Sequence, residues 1–131
     1  MGYKVLIIED DLTYKPLWTE MLNNNIENAP VQIHWAVSAE EANVQFVDSI
    51  KTRNPFDMII TDVFLAGSET GLDFVEGLNR HNIIAPPVIL VSSADQQDVE
   101  EFCSSDKLCK VEVLSKPINP KEFKKILKKI I

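Results

Sequence analysis

Short apolar runs rich in β-branched residues recur along the chain, each followed by a stretch whose apolar positions fall three and four residues apart. The runs predict strands over Lys4–Ile8, Val31–Val37, Asp57–Thr61, Val88–Ser92 and Val111–Leu114. Three of them are apolar almost throughout, as strands covered on both faces must be. Strands that alternate with helical segments predict βαβ units, and five such units predict one parallel sheet with helices packed on its faces.

The helical segments carry their own start signals. Thr13 reads as the cap of the first helix, with Pro16 tolerated in the first turn and Tyr14, Leu17 and Met21 on one face. Ser38-Ala39-Glu40-Glu41 matches a capping box, and Ala39, Ala42, Phe46 and Ile50 follow as an apolar stripe. A third helix is expected from about Gly71 through Phe74, Val75 and Leu78, and a fourth from Asp95 through Val99 and Phe102. In the last, Asn119-Pro120-Lys121-Glu122 supplies a cap, a proline at the first helical position and a capping-box glutamate. Phe123, Ile126, Leu127 and Ile130 form its buried stripe, and Lys121, Lys124, Lys125, Lys128 and Lys129 lie largely away from it.

Composition narrows the function classes. At 131 residues, 45% hydrophobic and 25% charged, the chain reads as one globular domain over residues 1–131, with no repeat or low-complexity tract to mark a second. Twenty acidic against thirteen basic side chains leave a net charge of −7, which disfavours direct nucleic-acid binding and attraction to an anionic membrane. The N-terminal apolar run is too short and too soon acidic for a signal peptide, and no later segment could span a bilayer, so a cytoplasmic location is expected. Cys103 and Cys109 stand in no CxxC and beside no histidine, and read as ordinary thiols.

In an open parallel sheet, ligands bind outside the carboxyl ends of the strands. Those ends carry Glu9-Asp10-Asp11, Asp62, Ser92-Ser93 and Ser115-Lys116-Pro117. Carboxylates brought this close repel one another unless a cation sits among them, and a hard divalent ion such as magnesium is the natural remedy. Asp11 can equally be a plain turn residue. Phosphoryl transfer asks a protein chiefly for positioning and charge stabilisation, tasks that fit Asp62 as acceptor, Lys116 as an ammonium beside one phosphoryl oxygen and Ser92 as a hydroxyl donor to another.

Val5-Leu6-Ile7-Ile8-Glu9-Asp10-Asp11, Phe56-Asp57-Met58-Ile59-Ile60-Thr61-Asp62, Val88-Ile89-Leu90-Val91-Ser92-Ser93-Ala94 and Leu114-Ser115-Lys116-Pro117 occur in this order at compatible spacings. Together they resemble the receiver domain of bacterial two-component response regulators, across essentially the whole chain. The resemblance implies a flavodoxin-like (βα)5 fold with a doubly wound, parallel five-stranded sheet. It implies that Asp62 takes a phosphoryl group from a histidine kinase or histidine phosphotransfer protein. Glu9, Asp10 and Asp62, with the backbone carbonyl of Phe64, would hold magnesium, and the Lys116-Pro117 bond would be cis. Drawn toward the phosphoryl group, Ser92 would shift the adjoining loop and change a partner-binding surface on the fourth helix, the fifth strand and the last helix.

Some positions depart from the family pattern. Ala66 stands where a proline is usual, Gly71 comes one residue later than the usual glycine, and Val113 replaces the aromatic ring three residues before the lysine. Phe64 and Ala94, expected beside the phosphoryl group, cannot hydrogen-bond a hydrolytic water, so self-dephosphorylation is expected to be slow. A phosphatase of the haloacid dehalogenase type would want a second aspartate where Phe64 stands, and a nucleotide-binding module would want a glycine-rich loop after the first strand. The remaining alternative is an interaction module that keeps the receiver fold without being switched by phosphorylation.

Overall fold

The apolar runs form β1 (Tyr3–Ile8), β2 (Val31–Ala36), β3 (Met58–Asp62), β4 (Val88–Ser92) and β5 (Val111–Ser115). All pair in parallel in one sheet ordered β2-β1-β3-β4-β5. The computed structural model describes residues 2–27, 29–63, 70–80, 86–92 and 111–130. Within these the helices are α1 (Lys15–Asn25), α2 (Ala39–Lys51), α3 (Gly71–Arg80) and α4 (Pro120–Ile130). The helix expected from Asp95, with Val99 and Phe102, lies outside the described residues, as do Cys103 and Cys109.

Strand alternation sends successive side chains to opposite faces, which divides the core in two. Leu6, Ile8, Ile59, Val88 and Leu90 pack with Ala42 and Phe46 of α2 and Phe74, Val75 and Leu78 of α3. Val5, Ile7, Met58, Ile60, Ile89 and Val91 pack with Trp18, Met21 and Leu22 of α1 and Phe123, Ile126 and Leu127 of α4. An edge-to-face aromatic pair fastens each layer: Phe46 with Phe74 at 6.4 Å between ring centroids, and Trp18 with Phe123 at 5.4 Å.

Local chemistry moves some predicted boundaries. Asp11, rather than Thr13, starts the first helical segment: its Oδ1 accepts from the Thr13 amide at 3.0 Å and the Thr13 hydroxyl at 2.6 Å. This caps a 3-10 turn over Leu12–Tyr14 that leads into α1. In α2 the inward positions are Ala39, Ala42, Phe46 and Ser49, and Ile50 is 43% exposed instead of completing the stripe. A step of seven residues from Ala42 returns to the same face, and the Ser49 hydroxyl is satisfied there by donating to the Phe46 carbonyl at 2.6 Å. The expected starts at Ser38 and Asn119 hold: Ser38 accepts from the Glu41 amide at 3.1 Å, and Asn119 Oδ1 from the Lys121 amide at 2.9 Å.

Phe123 is fully buried against Trp18. Phe123→Ala is therefore expected to lower stability by about 3–5 kcal/mol in urea unfolding, whereas Val44→Ala on the exposed face of α2 should change it by less than about 0.5 kcal/mol.

Candidate functional site

The order β2-β1-β3-β4-β5 places β1 and β3 side by side, with β2 outside the first and β4 outside the second. Chain direction across the sheet reverses at that pair, opening a crevice at their carboxyl ends. Glu9 and Asp10 follow β1, Asp62 is the last residue of β3, Ser92 the last of β4, and Lys116 follows β5. Backbone bonds continue past the strand ends and fix these residues. The Glu9 amide donates to the Ala36 carbonyl, that of Val63 to Val91 and that of Lys116 to Ser92, each at 2.9 Å.

Lys116 joins the two walls of the crevice. Its ammonium donates to Asp62 Oδ2 at 2.7 Å and to Glu9 Oε1 at 3.0 Å, and it lies 4.3 Å from the centroid of the Tyr14 ring. Both carboxylates are buried, whereas Asp10 is exposed. Burial pushes the Glu9 carboxyl up to about 7, opposed by the hydrogen bond from Lys116 and reinforced by the neighbouring Asp62. Burial works against the Lys116 charge, but the hydrogen bonds to Asp62 and Glu9 and their negative charges outweigh it, holding the group above the ordinary lysine value.

The structure thus brings Glu9, Asp10, Asp62 and Lys116 together, with Ser92 buried at the end of the adjoining strand. Glu9, Asp10 and Asp62 each offer an oxygen, all within 4.8 Å of one another. Adjacent oxygens in a magnesium shell stand about 3 Å apart and opposite ones about 4.2 Å, so this hard-oxygen set suits that ion once its carboxylates draw inward. Asp11 stands apart from the cluster as the cap of its turn, where the Thr13 hydroxyl and amide hold its carboxyl below the usual range. Phe64 and its carbonyl, Ala66, Ser93 and Ala94 lie outside the described residues. The Lys116-Pro117 peptide bond is cis, and Val113 packs partly buried against the α2–α3 layer.

Sequence reasoning missed two features. Tyr14 was assigned to the apolar face of the first helix, with no hint that its ring meets a lysine some hundred residues away. The cap of α3 was also missed: the Thr70 amide donates to Asp73 Oδ2 at 2.8 Å and the Asp73 amide to Thr70 Oγ1 at 3.1 Å, a reciprocal pair that the spelling Thr-x-x-Asp could have signalled. Gly71 follows directly, and its position explains its residue type. A Cβ there would collide with the Asp62 carbonyl oxygen and come within 2.9 Å of Thr61 Oγ1, so α3 starts hard against the end of β3 only because Gly71 has no side chain.

The family model for the response regulator receiver domain matches residues 5–128. The chain therefore belongs to the response regulator receiver domain family, a family of signalling domains rather than classical enzymes. Solved structures agree on the fold. A putative response regulator from Chloroflexus aurantiacus J-10-fl shares 22% identity at a TM-score of 0.75, over 99% of this chain and 98% of its own. The chemotaxis protein CheY4 of Vibrio cholerae shares 22% identity at a TM-score of 0.73, with both chains covered in full at 100%. The Francisella response regulator 1452 receiver domain shares 25% identity at a TM-score of 0.69, over 98% of this chain and 96% of its own.

The raised Glu9 carboxyl ties stability to pH. Its folded value of about 7 exceeds the ordinary 4.5, so its contribution to stability is complete below about 4.5 and is lost as pH rises through about 7. In the presence of a chelator the melting temperature is expected to fall between pH 5 and pH 8, and Glu9→Gln should flatten that slope. An equal slope in both proteins would contradict the assignment.

Proposed function

We propose that residues 1–131 act as one phosphoryl-accepting receiver domain, in which Asp62 takes the phosphoryl group. The observation that carries this reading is the Lys116 ammonium 2.7 Å from the Asp62 carboxylate, beside Glu9 and Asp10 at the sheet's reversal point. An oxygen of Asp62 bonds to phosphorus as the phosphorus–nitrogen bond of a donor phosphohistidine breaks, and the leaving imidazole keeps the electron pair and gains a proton. Lys116 stays beside the acceptor and neutralises charge on the incoming phosphoryl oxygens, and Ser92 donates its hydroxyl to one of them. Glu9, Asp10 and Asp62, completed by the Phe64 carbonyl, would hold magnesium. Bound there, the ion neutralises further phosphoryl charge.

The donor is a histidine kinase or histidine phosphotransfer protein, and the readout is a downstream protein bound along β5, α4 and the segment between β4 and β5. Val113 cannot signal by rotating an aromatic ring, so the relay runs from Ser92 through its loop. Slow self-dephosphorylation belongs to the same reading, since neither Phe64 nor Ala94 can orient a water. A cytoplasmic location is part of it too; no helix among the described residues is long and apolar enough to cross a membrane. Val113 also motivates a second reading, a receiver-fold interaction module that is not switched by phosphorylation.

Two measurements separate these readings. Incubation with magnesium and acetyl phosphate is expected to add the mass of one phosphoryl group to the parent chain and none to Asp62→Asn, whose fold stays intact. Millimolar magnesium is expected to raise the melting temperature of the parent, and Asp10→Ala to remove most of the rise, since a ligand bound only by the native state stabilises by mass action. Uptake by Asp62→Asn, or no uptake by the parent, would overturn the proposal.

A further inference from the structure

We infer that Tyr14 is a positioning residue for phosphoryl transfer, its ring face holding the Lys116 ammonium against Asp62. This rests on Asp62 being the acceptor and adds a residue to its machinery. An ammonium has three hydrogens. Lys116 Nζ donates two of them to Asp62 Oδ2 at 2.7 Å and Glu9 Oε1 at 3.0 Å, and it stands over the Tyr14 ring, 4.3 Å from the centroid. With the lysine side chain only 16% exposed, the ring stands where water would otherwise solvate the charge.

The ring is itself held. Asp11 caps the 3-10 turn that carries Tyr14, the Tyr14 amide donates to the Asp11 carbonyl at 3.2 Å, and the ring packs on the layer of Trp18 and Phe123. The arrangement thus runs from Asp11 through Tyr14 to Lys116 and Asp62.

A π face suits this position for a physical reason. Lysine is a point charge on a flexible four-carbon stem, and something must hold it in place. A further carboxylate would do so while adding negative charge to a site that already gathers Glu9, Asp10 and Asp62, and it would repel the incoming phosphoryl group. The ring attracts the cation without a net charge. Its attraction is also broad in direction, so the ammonium can follow the negative charge as it moves outward from the Asp62 oxygen to the phosphoryl oxygens.

The test compares the parent with Tyr14→Phe, Tyr14→Leu and Tyr14→Met, by intact-mass rates of phosphoryl uptake from acetyl phosphate at saturating magnesium. Tyr14→Phe keeps the ring and is expected to react at the parent rate. Tyr14→Leu and Tyr14→Met keep apolar bulk without the π face and are expected to slow uptake about three- to thirty-fold at unchanged magnesium affinity. The Lys116 Hε protons, shielded by the ring in the parent and in Tyr14→Phe, are expected to move downfield in both other variants. Equal rates in the parent, Tyr14→Leu and Tyr14→Met overturn the inference alone, as does a Tyr14→Phe variant as slow as Tyr14→Leu. A parent that takes up no phosphoryl group overturns the functional reading and this inference with it.

Discussion

Three carboxylates gathered at one edge of a sheet repel one another, and the Lys116 ammonium is the countercharge that this chain itself provides. Two of the three, Glu9 and Asp62, are buried and bonded to it. A buried charge is tolerable only when paired and hydrogen-bonded, so the geometry of the crevice follows from how this one cation is shared. Its two bonds pull on opposite walls, the end of β1 and the end of β3, while its own backbone is anchored to Ser92 on β4. The lysine thereby ties together the carboxyl ends of four strands.

The rest of the fold serves to hold those strand ends in register. Two separate apolar layers, each fastened by an aromatic pair, cover the faces of the sheet and leave its carboxyl edge polar. Gly71 lets α3 begin directly on the Asp62 carbonyl, which fixes Asp62 from behind. Burial, reinforced by the neighbouring Asp62, still pushes the Glu9 carboxyl up against the hydrogen bond from the lysine. Glu9, Asp10 and Asp62 share the Lys116 edge of the sheet, and the exposed Asp10 opens the cluster to solvent.

The sheet was legible because buried parallel strands must be nearly all apolar, and three of the five in this chain are; the acids were legible because each stands at the end of such a run. Helix starts were legible where a side chain and its partner are close in sequence, as at Ser38 and Asn119. The failures have the same logic. Asp11 and Thr13 both spell a cap, and only the hydrogen bonds decide between them. Ser49 and Ile50 both lie near the inward face of α2, and hydrophobicity favoured the wrong one because the serine finds its partner in its own helix. The stacking of Tyr14 under Lys116 joins positions 102 apart in number and leaves no trace in periodicity.

The central claim is that Asp62, one of the two carboxylates bonded to Lys116, is the one that forms the acyl phosphate. Borohydride reduces an aspartyl phosphate to homoserine and leaves free carboxylates untouched, so peptide mapping after phosphorylation and reduction reads the acceptor directly. The account predicts homoserine at position 62 and at no other acidic position. Homoserine at Asp10 or Asp11, 2-amino-5-hydroxypentanoic acid at Glu9, or no homoserine in a protein that has gained a phosphoryl group would contradict it.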